Sequence, residues 1–155
     1  MLITHQINAP RRQRGFSLVE VLIALVIMSV GMLGIAGLFV QSMQAGRTAM
    51  FRHHAVTLAG DVADRIRANP TAGGAYALGG VDSGCVAQGV DCSAPQMAAN
   101  DIFLWSQQAG DQLPNGQVQI TFDGAVTPPS YTIEVSWTEP GADLDYTIVI
   151  PVRGI

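Results

Sequence analysis

Residues 14 to 40 read RGFSLVEVLIALVIMSVGMLGIAGLFV, and within them residues 16–40 are twenty-five consecutive positions carrying a single charge, Glu20. That run exceeds the roughly 20 residues an α-helix needs to cross a bilayer core, so it is read as a membrane span at 16–40. Arg11, Arg12 and Arg14 precede it, and no further basic residue follows until Arg47. By the positive-inside tendency the N-terminus is cytoplasmic and the rest of the chain lies across the membrane. A conventional secretory signal has an apolar core of about 7 to 15 residues, much shorter than this one, and here the helical pattern continues beyond it.

Beyond the span, Val40, Met43, Phe51, Ala55, Leu58, Val62 and Ile66 recur at three- and four-residue steps, one stripe on a helix. Asn69-Pro70 and then Gly73-Gly74 stop it. A helix over 16–68 would be about 80 Å long at 1.5 Å per residue. Residues 70–95 are rich in Gly and read as a connecting loop. Ala98, Ile102, Trp105, Ala109 and Leu113 then form a second, short stripe, a helix at about 96–110, with Ser93 and Gln96 placed for a capping box. The period afterwards changes to two. Strands are expected at about 117–123, 130–138 and 145–152, with turns at Asp123 to Pro129 and at Glu139 to Asp143. The fold class is therefore α+β: a long transmembrane-plus-amphipathic helix packed on a small antiparallel sheet of about three strands, the head occupying 69–155. Trp105, Trp137, Tyr131 and Tyr146 are read as core.

The full chain carries a formal charge of −4, and removing residues 1–15 leaves five arginines against twelve acids, a side-chain charge of −7. An acidic head without a basic patch argues against nucleic acid as a partner. Cys85 and Cys92 are the only cysteines, and in an exported head the default is one small-loop disulfide. His53 and His54 point about 100° apart on a helix, His5 goes with the leader, and Asp82 and Asp91 lack the spacing of a calcium loop. No metal site, cofactor or catalytic constellation is expected, and the chain is not read as an enzyme.

Glu20 is the most informative residue. A carboxylate in an apolar span costs about 2.5 to 3.5 kcal/mol at the helix centre, less toward the interface, and such residues usually have a partner. Cleavage after Gly15 would create one, because the new amine of Phe16 lies four residues earlier on the same helical face. In a filament the amine of an adjacent subunit could serve instead. The bland alternative is a carboxylate tolerated at lipid-headgroup level.

The run from Arg14 through Gly15, Phe16 and Glu20 to Leu25 resembles the signal and helix start of type IV prepilins and type II secretion pseudopilins. The resemblance implies a pilin-like fold and a prepilin peptidase that reads the leader arginines Arg11, Arg12 and Arg14 and cuts between Gly15 and Phe16. It further implies N-methylation of Phe16 and makes Glu20 the assembly carboxylate. Trp105, Leu113-Pro114-Asn115-Gly116-Gln117-Val118 and Tyr131 to Trp137 look like the pattern of PilV-type minor pilins. Many pilins carry a proline about twenty residues into the mature helix; here stand Gly31, Gly34 and Gly37, which soften a helix at roughly 1 kcal/mol each without removing an amide donor. The expected function is a minor structural subunit of a type IV pilus, assisting initiation, assembly or adhesion. Its partners would be other minor and major pilins, the prepilin peptidase and the inner-membrane assembly platform. It would reside in a bacterial inner membrane, head periplasmic, before entering the pilus. The alternatives are a minor pseudopilin of a type II secretion system and a membrane-anchored periplasmic binding module.

The leader reading is checked by mass: the mature chain should begin at Phe16 with one added methyl group. Gly15→Leu should leave the preprotein uncut in the membrane. A chain that keeps Met1 beside an active peptidase would contradict it.

Overall fold

The computed structural model describes residues 15–86 and 90–152. Its elements are α1 (Leu18–Ala68), two short 3-10 turns (Pro70–Ala72 and Ala75–Ala77), α2 (Ala94–Gln112), and strands β1 (Gln117–Asp123), β2 (Ser130–Glu139) and β3 (Ala142–Pro151). The chain divides into two units, one ending at Met43 and one beginning at Gln44. The expected helix start at Phe16 is corrected to Leu18, since the carbonyl of Ser17 accepts the first turn's amides from Glu20 (3.1 Å) and Val21 (3.3 Å).

In the first unit every residue of α1 is exposed, and none of the most apolar window is buried. The helix runs unbroken through Gly31, Gly34 and Gly37, with open space where each Cβ would sit. Ser29 gives its hydroxyl to the carbonyls of Leu25 (2.7 Å) and Val26 (3.0 Å). That back-bond satisfies a polar group inside an otherwise apolar stretch without any external partner.

In the second unit, α1 buries Ala55, Leu58, Ala59, Val62, Ala63 and Ile66, spaced three and four apart. Val40 and Met43, expected in this stripe, are exposed, and burial begins only around Phe51, which packs against the core. Helix α2 presents Ala98, Ile102, Trp105 and Ala109 to the same core, with Leu113 just after it. It starts with Pro95 in its first turn, and Gln96 Oε1 accepts both the amide (2.9 Å) and the hydroxyl (2.9 Å) of Ser93. Its exit is tight. Asn115 takes φ 52°, and a Cβ on Gly116 would stand 2.2 Å from the Ala109 carbonyl oxygen, so only glycine fits.

The sheet has the order β1-β2-β3, antiparallel throughout. Its core face stacks in register: Val118, Val135 and Tyr146; Ile120, Ile133 and Ile148; Phe122, Tyr131 and Ile150. Strand β3 begins at Ala142, three residues before the expected 145, because Glu139 already pairs with Ala142 across Pro140-Gly141. Proline presets the first turn position and Gly141 takes φ 93°, so two residues suffice where a longer turn was expected.

The connector after α1 is more ordered than a loop reading implies. Tyr76, in the second 3-10 turn, is 2% exposed, stacks on Trp105 (ring centroids 5.8 Å) and meets Tyr131 edge-on (6.2 Å). The Tyr131 hydroxyl donates to the Gly73 carbonyl. Gly80 lies so near α2 that a Cβ would be 2.5 Å from the Phe103 amide nitrogen. Val81 donates to the Ala99 carbonyl (2.9 Å), and buried Asn100 accepts the amides of Ser83 (3.1 Å) and Cys85 (3.3 Å). The Cys85–Cys92 disulfide then ties this segment to the residue before Ser93 at the head of α2.

Replacing both cysteines by serine should lower the stability of the head by about 2 kcal/mol, the low end expected for so short a closed loop. Chemical denaturation of the two proteins measures the difference. Alkylation of both thiols without prior reduction would show that the bond does not form in the exported protein.

Candidate functional site

The residues singled out at the N-terminus fall in two groups. Arg11, Arg12 and Arg14 lie outside the described residues. Gly15, Phe16 and Ser17 precede the helix, with open space around the Gly15 Cβ position and Phe16 83% exposed. Glu20 occupies the first turn of α1, exposed. Its carboxylate is favoured there by the unpaired amides and positive end of the helix dipole. It is also the one charge in residues 16–40, so wherever that stretch is buried in lipid or among other apolar helices, Glu20 needs a cation beside it.

A second polar constellation lies inside the head. Asp61 and Arg65, one turn apart on α1, face Trp105 and Asp101, one turn apart on α2. The indole N–H of Trp105 donates to Asp61 Oδ2 (2.9 Å), and the Arg65 guanidinium donates to Asp101 Oδ1 (2.6 Å). The crosswise order, 61 with 105 and 65 with 101, fixes the two segments antiparallel and in one register. Asp101 is 2% exposed and takes the Tyr76 hydroxyl on its other oxygen (3.2 Å). Asn69 donates to that same hydroxyl oxygen (3.2 Å) and to the Ala94 carbonyl (2.9 Å). Burial raises the Asp101 carboxyl above the ordinary aspartate range, against the opposing pull of Arg65. Burial likewise pushes the Tyr76 phenol up to about 12.

At the other end of the head, Glu139 beside the β2–β3 hairpin accepts the Thr48 hydroxyl (2.5 Å) and the Trp137 indole N–H (3.0 Å). The Thr48 hydrogen bond, then that of Trp137, lowers its carboxyl below the ordinary glutamate range. Sequence reasoning marks none of Asp61, Arg65, Asp101, Tyr76 or Glu139 as part of a site. The i, i+4 pair Asp61 and Arg65 is a legible signal on a helix. Its partners are not, because they stand 36 and 44 residues away.

An apolar helical segment with no buried residue, one carboxylate in its first turn, and an α+β head define a class: membrane-anchored subunits of the pilin type. A family model described as the prokaryotic N-terminal methylation motif matches residues 10–36, and one described as type IV pilin Tt1218 matches residues 37–103. Together the two matches support a type IV pilin: the first spans the end of the leader and the start of the apolar helix, the second the rest of α1, the connector and the first half of α2. No curated protein and no solved structure matches the chain significantly. The second match ends within α2, so the sheet lies beyond both.

The Arg65–Asp101 pair makes a pH-dependent prediction. A raised aspartate contributes stability that is fully present below the unfolded pKa and is lost as pH rises through the folded one. Arg65→Met removes the cation that offsets this loss. It should cost about 1 to 2 kcal/mol at pH 7, less than for a fully buried pair because the Arg65 side chain is 42% exposed. The cost should shrink between pH 7 and an acidic pH at which the Asp101 carboxyl has taken up a proton. Equal losses at both pH values, measured by urea denaturation, would contradict the assignment.

Proposed function

We propose that this chain is a minor structural subunit of a type IV pilus, cut after Gly15, methylated at Phe16 and recruited to the filament through Glu20. The observation that carries the reading is the isolation of Glu20. It is the only charge in residues 16–40, and it sits in the first turn of a helical segment in which none of the described residues up to Met43 is buried. The amine of Phe16 from a neighbouring subunit would neutralise it, and a subunit added one step out of register would leave both charges unpaired in apolar surroundings. Breaking a buried pair by removing one member costs about 3 to 5 kcal/mol, enough to select the correct axial position.

The PilV-like assignment draws on Trp105, the Leu113 to Val118 segment and the Tyr131 to Trp137 strand. Trp105, Leu113, Tyr131 and Trp137 are all buried, so that pattern describes the core of the head. In this reading the N-terminus is cytoplasmic, the head periplasmic, and the companions are other minor and major pilins and the inner-membrane assembly platform. The subunit acts in initiation, assembly or adhesion.

Glu20→Gln keeps size and hydrogen bonding but removes the attraction to an ammonium. It should still be inserted and cleaved, because the leader arginines, Gly15 and the apolar run are unchanged. Its content in sheared filaments should fall at least about tenfold, since about 1.4 kcal/mol already gives that factor. Immunoblots of filament and membrane fractions at matched expression measure both. Equal incorporation of wild type and variant would refute the pairing.

A further inference from the structure

At the start of the head, a cavity of about 260 Å3 is lined by Gln44, Arg47, Thr48, Glu139 and Pro140. Two opposite charges face it without meeting: among the described residues no ion pair within 4.0 Å joins Arg47 to Glu139. Arg47 is exposed, and Glu139 is held in place by Thr48 and Trp137. A cavity with a guanidinium and an amide on one side and a carboxylate on the other suits a small dipolar molecule with an anionic and a cationic end.

The position along α1 says where such a molecule would come from. Arg47 stands seven residues beyond Val40, the last residue of the apolar run, which is about 10 Å of helix rise. With the apolar run in the bilayer, the seven residues from Val40 keep Arg47 within reach of the lipid headgroups by chain connectivity.

We propose that this cavity binds the headgroup of a phosphoethanolamine lipid in the leaflet on the head's side, its phosphate on Arg47 and Gln44 and its ammonium on Glu139. Arg–phosphate contacts are directional and charge-assisted, and an ammonium can hydrogen-bond a carboxylate whereas a trimethylammonium cannot. The site would hold the head against the membrane before the subunit leaves for the filament. The proposal rests on the membrane-anchored stage of the reading above and not on filament entry.

The test uses the full chain in nanodiscs of phosphatidylcholine alone, of phosphatidylcholine with phosphatidylethanolamine, and of phosphatidylcholine with phosphatidylglycerol. The first two have the same net charge, so any difference between them is not bulk electrostatic attraction. Amide hydrogen exchange is followed in residues 44–52 and 137–142. Exchange should be about threefold slower with phosphatidylethanolamine than with phosphatidylcholine. Arg47→Gln and Glu139→Gln should each remove that difference. Both keep a polar side chain, and in Glu139→Gln the one amide oxygen can still accept from Trp137 while the Thr48 hydroxyl turns to accept from the amide nitrogen. Equal exchange in the first two lipids would overturn the proposal, as would slowing that persists in Arg47→Gln or that occurs only with phosphatidylglycerol. Failure of the chain to enter the discs would overturn the anchor reading and this proposal with it, whereas poor filament incorporation would leave it standing.

Discussion

The head is built on one face of α1, where Ala55, Leu58, Ala59, Val62, Ala63 and Ile66 are each at most 3% exposed. The alternation of alanine with Leu, Val and Ile lets the rest of the core come close while large side chains still fill the space between. Burying Leu58, Val62 and Ile66 is worth about 1.5 to 3 kcal/mol apiece, more than any surface ion pair of this chain can contribute. The aromatic residues Tyr76, Trp105 and Tyr131 come from three separate segments and join the same cluster. Without that face of α1, a three-stranded sheet and a single short helix would have little to pack on.

Hydrophobic contact alone would allow α2 to slide along α1 by a turn. The crosswise polar pairs remove that freedom, because a one-turn slip would part Asp61 from Trp105 and Arg65 from Asp101. It would also leave the Asp101 carboxylate, 2% exposed, without its cation. The buried acid is thus a device for register more than for net stability, in line with the general weakness of buried ion pairs as a source of stability. The disulfide and Asn100 extend the same logic to the connector. They hold the Gly-rich segment over the first half of α2 where few apolar contacts could.

Charge in this chain is sorted by place. The core face of the sheet is apolar apart from Glu139 at the hairpin end, while its other face carries Asp123, Glu134, Asp143 and Asp145. The described arginines all stand on α1. Strand β3 is an edge, and two of the aspartates together with Pro151 mark it as poor ground for unwanted strand pairing. The head therefore presents different chemistry on its helix and on its sheet.

Much of this was legible one residue at a time. Periodicity alone places α1, α2 and the strands, because a period of 3.6 or of 2 is imposed by backbone geometry wherever one face is buried. The length of the apolar run, the lone Glu20 and the basic residues before Gly15 need no fold to be read, since the bilayer acts on sequence directly. The two cysteines, with no third to compete, had one partner each. What the pattern could not show were choices made between distant segments. Tyr76 lies in a stretch without period and becomes core because Trp105 and Tyr131 converge on it. Asp101 reads as a surface acid until Arg65 and Tyr76 enclose it. The short Pro140-Gly141 turn follows from the Glu139–Ala142 pairing, and Glu139 meets Thr48 across 91 residues of chain. Local sequence determined which segments were helical, extended or apolar, because those preferences are local. Only the tertiary structure decided which polar groups would be buried together, because that depends on what arrives from elsewhere in the chain.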